Sequence, residues 1–160
     1  MDERKLALFL ADFDHQIFQV EKIYGLLEDR ANSLNSDHIS SETVDSIGYW
    51  LHNLFSAFED LFKIVAAFWE NSVGKDGNYH KSLISRMVLN IEGVRPALIS
   101  EKTFSHLDEL RGFRHVFRHA YSYGLDDERV LYLLRKILKE KALVLKEHQS
   151  FREKIIGALK

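Results

Sequence analysis

The chain has no cysteine and only one proline in 160 residues. Without cysteine there is no disulfide framework and no thiolate metal site, so any metal would have to be held by histidine and carboxylate. The sole proline, Pro96, breaks the helical pattern at one place. No window approaches the ~18 uninterrupted apolar residues needed to cross a bilayer. The first residues, Met1-Asp2-Glu3-Arg4-Lys5, lack the basic-then-apolar layout of a secretory signal. A cytoplasmic protein without membrane association is therefore expected. Strand alternation, internal repeats and low-complexity segments are also missing from the pattern.

What remains is 46% hydrophobic with 12% aromatic residues, the composition of one globular domain over residues 1–160. The formal net charge is only -2, but it is unevenly spread. Residues 101–160 carry 13 Lys and Arg against 9 Asp and Glu, whereas residues 1–100 carry 9 against 15. A local anion-binding surface on a mildly acidic protein fits this asymmetry.

Apolar residues at Leu6, Phe9, Phe13, Ile17, Val20, Tyr24, Leu27 and Ala31 recur every three or four positions and predict a long helix from about Asp2 to Asn32. This aromatic stripe reads as core packing, and the nearby Asp12, Asp14 and His15 read as a solvated face rather than metal ligands. After a polar connector, with Ser40 or Ser41 as N-cap, a second long helix is expected from about Glu42 to Glu70. Its apolar stripe, widened by Trp50 and Trp69, suits a helix at the centre of the bundle or a face used in self-association. Gly74 and Gly77 mark its end. A shorter helix from about Tyr79 to Ile91 follows. Another runs from near Ser100 to about Tyr121, and a last one begins at Asp126-Asp127-Glu128. The tail from Phe151 to Leu159 continues the last helix or folds back. The fold class is all-α, an antiparallel bundle of about five helices.

The densest chemistry lies between Leu110 and Tyr121, where Arg111, Arg114, His115, Arg118, His119 and Tyr121 share about three helical turns. On a helical projection the arginines and histidines occupy an arc of about 140° opposite the apolar face of Leu110, Phe113, Phe117 and Ala120. That arc is too broad for one compact site. It narrows if the helix ends or bends near His119, or if two copies face each other across a dimer axis. Arginine holds phosphate oxygens in a planar fork, and histidine gives or takes a proton near neutral pH. RNA cleavage needs both abilities, because the 2'-hydroxyl loses a proton, the phosphorane gains charge and the 5'-oxygen must be protonated. His119 as acid or base with Arg114 stabilising charge supplies them without a metal. His115 and His119 are four apart, a spacing that can hold a metal, but no carboxylate accompanies them and three arginines repel a cation. The purely structural reading makes Arg114 and His119 surface residues in salt bridges to Asp108, Glu109 or a neighbouring helix.

At these residues the chain resembles the HEPN superfamily, and most closely the HepT toxins of prokaryotic toxin–antitoxin pairs, whose R-x-x-x-x-H-x-Y signature stands near the end of a helix. Here it reads Arg114-His115-Val116-Phe117-Arg118-His119-Ala120-Tyr121. The resemblance implies a metal-independent endoribonuclease with no cofactor, acting on RNA as a homodimer whose two motifs line a shared cleft. It assigns catalysis to Arg114 and His119, with His115 in support. It also implies a minimal nucleotidyltransferase antitoxin that transfers AMP to the motif tyrosine, Tyr121, with Tyr123 as the alternative target. Arg111, and Arg118 at an unspecified position inside the motif, belong to this sequence rather than to the signature and are assigned to RNA backbone binding. Transfer RNA and messenger RNA are not distinguished by anything in the sequence. The remaining histidines, His15, His38, His52, His80, His106 and His148, show no matched partners and read as ordinary surface or core residues. The competing function is a catalytically inert helical adaptor, or a nucleotide-binding partner of a nucleotidyltransferase.

Overall fold

A computed structural model describes residues 1–34, 38–70, 79–120 and 124–159. Its elements are α1 (Glu3–Asn32), α2 (Ser41–Glu70), α3 (Tyr79–Met87), α4 (Glu101–Arg118) and α5 (Asp127–Gly157). The starts of α1, α2, α4 and α5 are fixed by local polar side chains. The Asp2 carboxylate accepts from the Arg4 amide, Ser40 Oγ from Thr43, Ser100 Oγ from Thr103 and Asp126 from Glu128, at 3.0–3.2 Å. These bonds satisfy amides that have no partner in the first turn of a helix.

The apolar stripes then determine the packing. α1 and α2 run antiparallel, with Phe9 against Phe68 and Trp69 near one end. Gln16 donates to the Ala57 carbonyl along the way, and Arg30 donates to Ser46 at the other end. α5 lies antiparallel to α1, where Arg152 grips Asp14 at 2.7 and 2.9 Å and Lys141 pairs with Glu28. α2 touches all four other helices, which is why its stripe is so wide. The central position is the better of its two expected explanations. Asp14 is occupied by Arg152, as befits a solvated face.

Two helices are shorter than the sequence pattern predicts. α3 stops at Met87 because Leu89, although periodic, is exposed, and Ile91 instead forms an isolated antiparallel bridge with Arg95. Gly93 makes the intervening turn at φ 74°, a left-handed conformation that favours glycine. α4 stops at Arg118, with His119 as its C-cap, rather than near Tyr121. α5 continues unbroken through the segment from Phe151. Among the described residues no helix is long and apolar enough to cross a membrane.

Two histidines are buried, His106 and His148, and His148 is the deeper. His148 is 1% exposed and lies among the rings of Phe13, Phe58 and Phe62. Its Nδ1 donates to the Val144 carbonyl, and its Nε2 has no partner. Burial holds its pKa below the ordinary histidine value, with the Val144 carbonyl opposing the shift. His106 and His52 are also lowered, burial again being the first cause. An unfolded chain therefore binds more protons than the folded one below about pH 6.5. Stability is full above that pH and falls as the pH drops towards the depressed folded values. The urea midpoint is expected to decrease between pH 7.5 and 5.5, each such histidine adding a slope of at most ~1.4 kcal/mol per pH unit. His148→Leu should flatten the curve; an unchanged slope in that variant would contradict this assignment.

Candidate functional site

The last two turns of α4 lie against the middle of α2. Gly48 leaves room here for Phe117 of α4 and for Leu125 of the connector that follows, since a Cβ there would stand 3.3 Å from Phe117 Cδ2 and 2.5 Å from Leu125 Cδ1. Beside it the His52 ring stacks on Phe117 at 5.2 Å. Burial, and then the charges of Arg114 and Arg118, keep His52 below its ordinary pKa. Its neutral form thus packs under the cationic turn without adding charge to it.

Arg114 points inward from this turn. Its side chain is 16% exposed, and Nη1 donates to Glu59 Oε1 at 3.4 Å. The guanidinium lies 5.5 Å from the centre of the Phe55 ring, while Nε is buried without a hydrogen-bond partner among the described residues. Glu59 is a buried carboxylate on α2, and burial of such a charge is tolerable only with nearby cations and donors. Three supply it: Arg114, Lys63 at 3.6 Å and His80 from the first turn of α3. Glu59 therefore fixes the fork of Arg114 while leaving part of its hydrogen-bonding capacity unused.

His115 and His119 are exposed, with ring centres 4.5 Å apart. The end of the helix makes this possible. His119 has φ -106° and ψ 9° and donates its amide to the Val116 carbonyl at 3.2 Å, so it has left the regular helical path. A cavity of about 160 Å³ is lined by Phe55, His80, Arg111, Arg114, His115, Arg118 and His119. The broad arc of the projection is thus gathered around one depression. Arg111 Nε donates to Asp108 at 2.8 Å, yet Arg111 also lines the cavity. Tyr121 and Tyr123 lie outside the described residues. A larger cavity of about 700 Å³, between Leu8 and Phe9 of α1 and Ile64 and Phe68 of α2, has no comparable convergence of titratable groups.

Sequence reasoning missed Glu59 and His80. Glu59 carried a signal, an acid within the apolar face formed by Phe55, Phe58 and Phe62. His80 carried none, because only tertiary packing brings α3 to the arginine turn. Three histidines taken to lack partners have them: His80 pairs with Glu59, His106 approaches Glu140 at 3.7 Å, and His148 bonds to Val144. Among the described residues there is no cluster of three or more His, Asp or Glu arranged to hold a metal ion.

An all-helical bundle with an arginine and a histidine five residues apart, at the end of a helix packed on a long central helix, has the features of the HEPN class. A family model described as HepT-like protein matches residues 46–155, from early α2 to near the end of α5. The chain belongs to the HepT-like protein family. Searches of curated proteins and of solved structures return no match.

Proposed function

We propose that this HepT-like protein is a metal-independent endoribonuclease, the toxin of a toxin–antitoxin pair, built as one helical domain over residues 1–160. The observation that carries this reading is the cavity that a fixed guanidinium, Arg114, lines together with the paired imidazoles of His115 and His119. Arg114 holds a non-bridging phosphate oxygen and offsets the charge that grows on the phosphorane. His119 transfers a proton, and the adjacent His115 supports it. Arg111 and Arg118 hold flanking phosphates. The nucleophile is the substrate's own 2'-hydroxyl, so DNA is not cut.

Two copies with their motifs in one cleft, a cytoplasmic location and a nucleotidyltransferase antitoxin complete the proposal. AMP placed on Tyr121 brings bulk and negative charge to the arginines and excludes RNA phosphate. The inert-adaptor reading draws on one feature, the buried ion pair of Arg114 with Glu59, which is also what a purely structural arginine makes. Cleavage of total RNA by the purified protein separates the two, mass spectrometry having first established that Tyr121 is unmodified. Cleavage should persist in excess EDTA and vanish in His119→Ala. Intact RNA with folded, unmodified protein would favour the adaptor.

A further inference from the structure

Transesterification of RNA moves two protons at separate atoms. One leaves the 2'-hydroxyl as the new 2'-O–P bond forms, and another joins the 5'-oxygen as the P–O5' bond breaks. His119 serves one of these transfers. His115 stands beside it, and among the described residues neither has the carboxylate partner that marks a well-placed base. His80 does. It comes from a different helix, lines the same cavity, and its Nδ1 faces the Oε2 of the buried Glu59. A carboxylate only accepts, so Nδ1 carries the proton and Nε2 is left as the basic nitrogen. The ring is further fixed by Tyr79 edge-on at 5.3 Å. Its side chain is 45% exposed and therefore open to substrate.

We propose that His80, oriented by Glu59, is the second proton-transfer group of this site. The proposal rests on the endoribonuclease reading above. Neutral His80 takes the 2'-hydroxyl proton as the 2'-oxygen attacks phosphorus. Protonated His119 gives its proton to the departing 5'-oxygen, leaving a 2',3'-cyclic phosphate and a 5'-hydroxyl. The imidazolium formed on His80 is stabilised by Glu59 and opposed by Lys63 on α2 and by Arg111, Arg114 and Arg118 on α4; among the described residues His115, His119 and Tyr79 are the other titratable groups beside it. Glu59 is thus a positioning residue that serves both His80 and Arg114.

The test is the pH profile of cleavage of a fluorogenic RNA oligonucleotide by wild type, His80→Gln, His119→Ala and Glu59→Gln, with thermal melting of each. Glutamine keeps a hydrogen bond to Glu59 but transfers no proton. His80→Gln should melt like wild type and lower kcat about 10²-fold or more with little change in KM. It should lose the limb of the profile that rises with pH, while His119→Ala loses the limb that falls. Glu59→Gln, which removes the charge that orients His80, should lower kcat with little change in KM. If wild type cleaves and His80→Gln keeps its rate and both limbs, the role of His80 is wrong while the endoribonuclease reading stands. If folded, unmodified wild type leaves the RNA whole, both fail together.

Discussion

Arg114→Ala should lower RNA cleavage by about 10² to 10³-fold, the usual cost of removing one charge-stabilising donor from a reacting centre. Arg114→Lys should recover little of it. The structure explains why lysine is a poor substitute. The guanidinium is held between the Phe55 ring and the Glu59 carboxylate, and a planar fork can serve the carboxylate with one edge and a phosphate with another. A point charge on a flexible stem would be drawn to Glu59 alone. Because Arg114 is largely buried, each variant must also be melted. The loss of activity should remain when rates are measured well below the melting temperature, since Lys63 and His80 still compensate Glu59. If Arg114→Ala lowers only the melting temperature and cuts RNA at the normal rate, Arg114 is structural.

The largest effect on stability is expected far from that cavity, at Arg95. Its side chain is fully buried. Nη2 donates to Glu70 Oε1 at 2.7 Å and to the Arg86 carbonyl at 2.9 Å, and Nη1 donates to the carbonyls of Leu89 and Pro96. Arg86 reaches the other oxygen of Glu70 at 2.7 Å. Burial of Glu70 opposes ionisation, but the hydrogen bonds from these two arginines hold its carboxyl below the usual range. One guanidinium thus joins the end of α2, the end of α3 and the connector leading to α4. Arg95→Ala leaves several carbonyls and a carboxylate oxygen without that partner, and should cost roughly 3 to 5 kcal/mol in urea unfolding. A loss below about 1 kcal/mol would show that water replaces the guanidinium at little expense.

Arg95 also shows where a sequence stops being legible. The stripes of α1, α2 and α5 are periodic over eight or more turns, and periodic burial is what sets those helices, so their existence and faces could be read directly. The end of α3 could not. Leu89 and Ile91 continue a helical spacing, but the carbonyls of Arg86 and Leu89 turn to meet the buried Arg95 a few residues on, a demand that helical periodicity does not register. The end of α4 was obscured for a related reason. No glycine or proline stands between Phe113 and Gly124, so nothing local announces that His119 leaves the helix.

The candidate site divides in the same way. Arg114, His115 and His119 could be found because the signature compresses them into six residues. Arg111 and Arg118 share the helix and line the same cavity. Glu59 was visible only as a misplaced charge in an apolar face, and His80 was invisible, since 34 residues separate it from Arg114. The sequence contained the cations, whereas the carboxylate that orients them depends on how α2, α3 and α4 pack.

The central claim is that this cavity cleaves RNA through the substrate's own 2'-hydroxyl. The most direct measurement is the chemistry of the 3' ends produced in excess EDTA by unmodified protein, read by mass spectrometry on an RNA oligonucleotide beside His119→Ala. A 2',3'-cyclic phosphate from wild type and none from the variant is the expected result. A 3'-hydroxyl end, or cleavage that stops when EDTA is added, would contradict the account.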